Sequence, residues 1–160
     1  MELTVGKSVV DIKFDYRAMF KIDKELGSRD TQTGKRNNDG IGSLFTKIID
    51  RDDQGIVDLI MVMASKKAKA VSEDEAIAAI EQYFEKSESD DPQEALFQEI
   101  EEEMVDSGFF KKKILKYIEN LDKALAFYQA QAELKPEDVE LSFQVETIGA
   151  TIGKMKSAIS

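Results

Sequence analysis

The side chains of this chain that could do chemistry are mostly carboxylates, because its 160 residues contain no histidine and no cysteine. Histidine is the usual proton-transfer group at neutral pH, and the cysteine thiolate is a strong nucleophile and metal ligand. Any catalytic or metal-binding hypothesis must therefore rest on other residue types. Two glycine-containing segments and one run of glutamates have the spacing to be considered.

Residues 50–58 are similar to a calcium-binding loop, with four aspartates and Gly55 at the position of the sharp turn. The twelfth position of such a loop holds a bidentate glutamate, and here it is Met61. Gln54 also replaces the usual Asp or Asn. Without these ligands we do not expect calcium binding, and the aspartates are predicted to end one helix and cap the next.

Residues 149–155 are similar to a phosphate-binding loop, but the stretch is one residue short and lacks the Ser or Thr after Lys154. It also lies within a helical repeat and not after a strand. The glutamates at 101–103 fall on a predicted surface helix, where nothing shields them enough to separate their pKa values as in a catalytic pair. We therefore predict that the chain is not an enzyme and uses no metal or cofactor.

The net charge of −10 is concentrated in one segment of the chain. Residues 85–106 contain ten acidic residues and one lysine, a local charge of −9, so the remainder carries −1. This segment is either a solvated helix face or a surface for a basic partner. No basic stripe for nucleic-acid phosphates is visible.

The longest apolar run, 59–64, is too short for a membrane span, and no signal peptide precedes it, so we expect a cytoplasmic location.

The first fourteen residues predict a β-hairpin with a two-residue turn at Gly6-Lys7. Glycine at the first turn position suits a type II′ turn, which places Leu3 opposite Val10. Five apolar side chains then share one face: Leu3, Val5, Val10, Ile12 and Phe14. Because a lone hairpin is unstable, this face is expected to pack on helices.

Five amphipathic helices are predicted after the hairpin. The first follows the N-cap Asp15 and runs to Leu26, with Tyr16, Met19, Phe20 and Ile22 directed inward. Residues 28–39 are polar and predict a mobile surface loop. The other helices are predicted at 41–49, after Asp53 with an almost wholly apolar stretch at 56–64, after a Ser72–Glu75 capping box, and from Pro92 to about Gly108.

The last fifty residues carry two heptad patterns separated by Pro136. The first seam comprises Ile114, Ile118, Leu121, Leu125, Tyr128 and Ala132, and the second Leu141, Val145, Ile148, Ile152, Met155 and Ile159. They predict an antiparallel helical hairpin, although either short seam could instead pair with a second copy of the chain. The predicted fold is mainly α (α+β), with a body at 1–108 and a C-terminal arm at 109–160 that has the potential to oligomerise.

A candidate partner-binding group lies where the predicted body joins the arm. Phe109 and Phe110 precede three consecutive lysines, an arrangement that suits docking of an apolar partner segment. The equally plausible interpretation is that one ring fills the core and the other covers a helix joint. We take Phe109, Phe110, Leu115 and Tyr117 as the candidate residues.

Several segments together carry a family resemblance. They are Val10–Tyr16, Gly40–Gly42, Asp53–Ile60, Ser72–Ile77 and the stretch from Ala95 to Lys113. Over about residues 8–120 this order resembles the tail assembly chaperones of long-tailed phages and prophages of Gram-positive bacteria.

The resemblance implies a non-enzymatic protein that acts in the bacterial host cytoplasm and is absent from the finished virion. It implies binding to the tape measure protein, which is kept soluble, and recruitment of tail tube subunits; a longer frameshifted product is also implied. Coating a long client favours a homo-oligomer. The alternatives are an acidic inhibitor or DNA mimic that binds a basic nucleic-acid-binding protein through Glu99 and 101–103, and a carboxylate-metal enzyme.

Overall fold

The computed structural model describes residues 1–160, which form one antiparallel β-hairpin and seven α-helices. The elements are β1 (Glu2–Val5), β2 (Ser8–Asp11), α1 (Tyr16–Leu26), α2 (Gly40–Ile49), α3 (Asp53–Ala64), α4 (Glu73–Lys86), α5 (Pro92–Asp106), α6 (Gly108–Leu134) and α7 (Val139–Ile159). The predicted fold class, mainly α with an N-terminal hairpin, is confirmed.

The hairpin has the predicted register. Leu3 lies opposite Val10, and the turn residue Gly6 has a φ of +62°, the left-handed value that a type II′ turn requires at its first position. Leu3, Val5 and Ile12 are buried, whereas Val9 on the other face is exposed. The hairpin is not free-standing, because β1 packs against α4.

One hydrophobic core holds the molecule together. It contains 29 buried residues drawn from the hairpin, all seven helices and the loop before α4, which contributes Val71. α3 is central to it: Ile56, Leu59 and Ile60 are fully buried, as its apolar sequence predicts. The start of α6 and the end of α7 contribute Ile114 and Met155 to the same core. The base of the C-terminal hairpin is therefore packed into the body.

Local sequence signals set the helix starts. The Asp15 carboxylate accepts a hydrogen bond from Ala18 N at 2.9 Å, and the Ser72–Glu75 pair makes both bonds of a capping box. Asp52 caps α3 through Gln54 N at 3.0 Å. The prediction that the aspartates after α2 belong to a helix boundary is thus confirmed.

Residues 28–39 form an exposed loop with its own hydrogen bonds. Asp30 Oδ1 accepts from the backbone N–H groups of Thr33 at 2.7 Å and Gln32 at 2.9 Å. These bonds, the one from Thr33 foremost, lower the pKa of the Asp30 carboxyl. The surface position is as predicted, while the mobility of the loop stays a prediction.

α6 and α7 pack against each other within one chain and form an antiparallel hairpin. Asp122 and Lys156 form an ion pair between the two helices at 3.4 Å. Seam residues near the base, among them Ile118 and Ile152, are buried, while Tyr128, Leu141 and Val145 further out are half-buried. Both heptad patterns therefore find a partner inside the chain.

Candidate partner-binding surface

The structure separates the four candidate partner-binding residues into two pairs. Phe110 is fully buried, and its ring packs edge-on against the Phe14 ring with 5.2 Å between the two centroids. Tyr117 is half-buried and packs against Gly42. Phe109 and Leu115 are exposed. Phe110 and Tyr117 thus anchor α6 to the body, and only Phe109 and Leu115 are available to a partner.

The start of α6 is fixed by Ser107. Its hydroxyl donates to the carbonyl of Phe14 at 2.7 Å and accepts weakly from Phe110 N at 3.4 Å. One side chain therefore caps α6 and ties it to the segment that leads from the hairpin into α1. This connection holds Phe109 beside the first turn of α1.

Three aromatic side chains form an exposed cluster, which we call the aromatic patch: Tyr16, Phe20 and Phe109. The Tyr16 ring centroid lies 5.0 Å from that of Phe20 and 5.2 Å from that of Phe109. Their exposed fractions are 54%, 58% and 47%, respectively. Contiguous exposed apolar surface of this kind is typical of a binding site.

The expectation that Tyr16 and Phe20 face the core was wrong. α1 does bury Met19 and Ile22, as predicted, together with Ala18, but its apolar residues outnumber the positions that face the core. The two aromatic side chains occupy the neighbouring side of the helix, where they stack on each other and on Phe109.

Basic side chains lie beside one part of the aromatic patch. Phe20 lines a surface pocket together with three basic residues, Lys24, Arg36 and Lys113. Lys113 is also paired with the buried carboxylate of Asp23 at 2.7 Å. A partner that fits this surface would present apolar side chains with acidic neighbours.

Several carboxylates of the acidic segment 85–106 are paired with other residues of the same chain. Arg51 Nη2 lies 2.8 Å from Glu94 and Nη1 lies 2.7 Å from Glu101, while the guanidinium sits 5.7 Å above the Phe97 ring. The hydrogen bond from Arg51 lowers the pKa of Glu94, and the bond to Glu94 raises the pKa of Arg51. These contacts join the end of α2 to α5.

Other acidic residues of this segment also have internal partners. Glu103 pairs with the N-terminal amine at 3.3 Å, Glu99 accepts from the Tyr83 hydroxyl at 2.8 Å, and Asp91 caps α5 through Glu94 N. Half of the ten acids are therefore engaged within the fold. This favours the solvated-face interpretation over a surface built for a basic partner.

The Tyr83 hydroxyl should lose its proton only at an unusually high pH. Burial, followed by the hydrogen bond to Glu99, raises its pKa to about 12. The pKa of a tyrosine in an unfolded chain is about 10. At a pH between this value and the pKa of Tyr83 in the folded chain, the folded chain keeps a proton that the unfolded chain releases. Stability is then lost as pH rises through this window. We expect an ultraviolet titration of phenolate to show a late component that Tyr83→Phe removes; an unchanged titration curve in that variant would contradict this.

A cavity of about 590 Å³ lies between α1, the end of α3 and the loop before α4. We call it the lysine-rimmed cavity. Its lining combines four lysines, two acidic residues, one serine and five apolar residues: Lys21, Lys24, Lys66, Lys67, Glu25, Asp58, Ser65, Leu26, Met61, Val62, Ala70 and Val71. The Asp58 carboxylate is paired with Lys47 at 2.7 Å, and that of Glu25 lies 3.9 Å from the Lys24 ammonium, so the lysines outnumber the acids by two. The cavity therefore suits an apolar group that carries negative charge.

Neither clustered metal ligands nor a membrane-crossing helix is found. No three acidic side chains converge in an arrangement that could hold a metal ion. None of the seven helices combines the length and the apolar character that crossing a bilayer requires.

Comparison with protein-family models decides the family. Residues 2–126 match the model described as phage tail assembly chaperone protein, TAC. The chain belongs to this family. The match includes the β-hairpin, helices α1 to α5 and the first part of α6, so it covers the aromatic patch. Searches of curated proteins and of solved structures gave no significant match.

The family assignment confirms the resemblance read from the sequence, and the structure explains one segment that carried it. In this tail assembly chaperone, a Cβ at Gly40 would lie 2.5 Å from the carbonyl oxygen of Ile22 and 2.8 Å from the Cα of Asp23. Gly42 similarly lies directly under the Tyr117 side chain. The glycine pair allows α1 and α6 to approach α2 closely.

Proposed function

We propose that this chaperone binds the tape measure protein in the bacterial host cytoplasm, keeps it soluble and helps to recruit tail tube subunits. The aromatic patch is the observation that supports this role. A long helical client exposes apolar side chains before assembly, and a chaperone that covers them needs binding surface and no covalent chemistry. Recognition of an amphipathic helix by an apolar surface follows this principle.

The client helix is proposed to lie across Tyr16, Phe20 and Phe109. Exposed aromatic side chains make strong anchors, since they bury a large area with few rotatable bonds. Acidic residues beside the apolar face of the client would meet the basic border of the patch, which includes Lys24 and Arg36. The rings supply most of the affinity, and the border charges orient the client.

Leu115 is proposed to contact a different partner from the client. It lies six residues after Phe109, which places it about 120° round the axis of α6. Leu115 is 48% exposed and outside the aromatic patch. This position suits a tail tube subunit that is recruited while the client stays bound.

Self-association is part of the proposal. Each chain presents one small patch, and an isolated contact of this size gives modest affinity. Several linked copies along one client convert modest affinities into tight coating, because each further contact is made at high effective concentration.

Co-expression with the tape measure protein tests the proposal. We expect the double variant Phe20→Ser/Phe109→Ser to lower the yield of soluble tape measure protein about tenfold or more, because it removes two of the three aromatic anchors. The yield is measured in the cleared lysate and by co-purification with the tagged chaperone.

The matched control is Phe127→Ser/Phe143→Ser. It removes two exposed phenylalanines from the C-terminal hairpin, outside the aromatic patch. We expect this variant to keep most of the soluble client. Equal losses in both variants, or none in either, would contradict the client site. Binding should also survive moderate salt, whereas an acidic inhibitor would release its basic partner.

A further inference from the structure

We infer that the tip of the C-terminal hairpin of one copy docks into the lysine-rimmed cavity of a second copy. The tip comprises residues 133–140, which are the end of α6, the connecting loop and the start of α7. This inference rests on the proposed self-association and names the two surfaces that carry it.

The tip is both apolar and acidic. Leu134 and Val139 are 77% and 80% exposed, the highest values among the large apolar side chains of the chain. Four acidic residues and one lysine share these eight positions, so the tip carries a charge of −3. Such a projection would bury two apolar side chains and keep its carboxylates at the border of the contact.

The cavity has the complementary properties. Its volume lies in the range of ordinary binding pockets, and its apolar lining includes Met61 and Val71. Lys66 and Lys67 at its border are exposed. The Lys21 ammonium donates to the carbonyl of Ser65 at 2.7 Å, which ties α1 to the loop that forms one wall.

The contact must form between copies because the tip is held away from its own body. Ile118 is the last buried residue of α6, and Leu134 lies sixteen residues further, about 24 Å along the helix axis. The antiparallel partner α7 stiffens this extension. A tip that docks into the cavity of the next copy makes a heterologous contact, which builds a chain or a ring.

This arrangement leaves the aromatic patch of every copy free. The tip and the cavity do not include Tyr16, Phe20 or Phe109, although Lys24 lines the cavity and also lies beside Phe20. A row of copies would therefore present repeated patches to one long client, which is the geometry that multivalent coating needs.

The other acidic surface of the chain fits the cavity less well. Segment 85–106 is more negative than the tip, but its apolar residues Leu96, Phe97 and Ile100 are fully buried. It therefore has no large exposed apolar side chain with which to fill an apolar cavity.

Charge reversal tests the contact. We expect Glu137→Lys/Glu140→Lys in the tip, or Lys66→Glu/Lys67→Glu at the cavity, to lower the self-association constant about thirtyfold or more. Light scattering coupled to gel filtration over a range of concentrations measures the mass. An equimolar mixture of the two variants should recover association, since each tip then meets a cavity of opposite charge.

The matched control is Glu88→Lys/Glu102→Lys. It changes the net charge by the same amount as the tip variant, at exposed positions of the acidic segment, and should leave association within about threefold. Circular dichroism checks that each variant is folded. Cross-linking gives an independent measure: since the chain has no cysteine, Val139→Cys and Ala70→Cys should form a disulfide when the two variants are mixed.

Three results would overturn the inference: a native chain that stays monomeric, tip and cavity variants that associate like the native chain, or loss of association in the control alone. Client solubilisation by the same variants separates this inference from the proposed function. If the native chain is monomeric and still keeps the tape measure protein soluble, the result supports the chaperone role and rules out the tip–cavity contact.

Discussion

Replacing Gly42 with alanine is expected to lower the free energy of unfolding by about 3 kcal/mol, although alanine favours a helix over glycine by about 1 kcal/mol. Gly42 lies in α2, where Tyr117 of α6 packs directly on its Cα. A Cβ at this position would lie 2.6 Å from the Cβ of Tyr117 and closer still to Cγ and Cδ2. These atoms are near the root of the Tyr117 side chain, so α6 itself must shift. Chemical denaturation followed by circular dichroism measures the effect.

Gly149→Ala provides the matched control for Gly42→Ala. Gly149 is also in a helix, but nothing lies within 4 Å of a Cβ built there. This variant should gain up to about 1 kcal/mol from helix propensity alone. Adding Tyr117→Ala to Gly42→Ala should recover part of the loss, a non-additive result in a double-mutant cycle. Equal stabilities of the two glycine variants would show that α2 and α6 are not in close contact.

The structural features that could be predicted from the sequence are those set by neighbouring residues. The hairpin register follows from a two-residue turn at Gly6, and the start of α4 follows from the Ser72–Glu75 capping box. In each case the decisive bond joins residues only a few positions apart. Such patterns give element types and starts because they need no knowledge of the tertiary fold.

The features that could not be predicted depend on contacts between distant parts of the chain. Arg51 meets Glu94 and Glu101, 43 and 50 residues further along, and no local spacing encodes that pairing. The same limit applies to the aromatic patch. We predicted from its residue type that Tyr16 lies in the core, whereas the packing of α1 leaves it exposed. The available signal was the excess of apolar residues on α1 over what one buried face accommodates.

One missed site did leave a trace in the sequence. Glycine inside a helix is unfavourable, so Gly42 between Ile41 and Ser43 indicates that another element approaches closely. The sequence does not reveal that this element is α6, 75 residues away, because the partner side chain is one tyrosine among four. Structure was needed to connect the glycine pair with the helix that carries Phe109.

Removing the carboxylate of Asp23 is expected to cost about 4 kcal/mol of stability. Asp23 is the one buried charged residue, with only 5% of its surface exposed. Its Oδ1 accepts from the backbone N–H of Ile41 at 3.1 Å, and its Oδ2 lies 2.7 Å from the ammonium of Lys113. A single side chain thus joins α1, the start of α2 and α6. Asp23→Ala leaves a buried N–H and a half-buried ammonium without their acceptor.

The start of α2 has no substitute for Asp23. Its own N-cap residue, Asp39, makes no capping bond, because its carboxylate accepts instead from the N–H and hydroxyl of Ser28. Helix starts need acceptors for their free N–H groups, and Asp23 supplies one from α1. Asp23→Asn keeps a hydrogen-bond acceptor and loses the charge. We therefore expect it to lower the free energy of unfolding, but by less than Asp23→Ala does.

Thermal and urea unfolding of Asp23→Ala, Asp23→Asn and Lys113→Met measure these contributions. Asp106→Ala, which removes an exposed carboxylate, should change stability by no more than about 0.5 kcal/mol. If Asp23→Ala is as mild as this control, the three-helix junction does not depend on the carboxylate. Because Asp23 ties α1 to α6, the helices that carry the aromatic patch, Asp23→Asn should also weaken the proposed client binding under conditions where the chain remains folded. Loss of stability with full client binding would separate the junction from the patch.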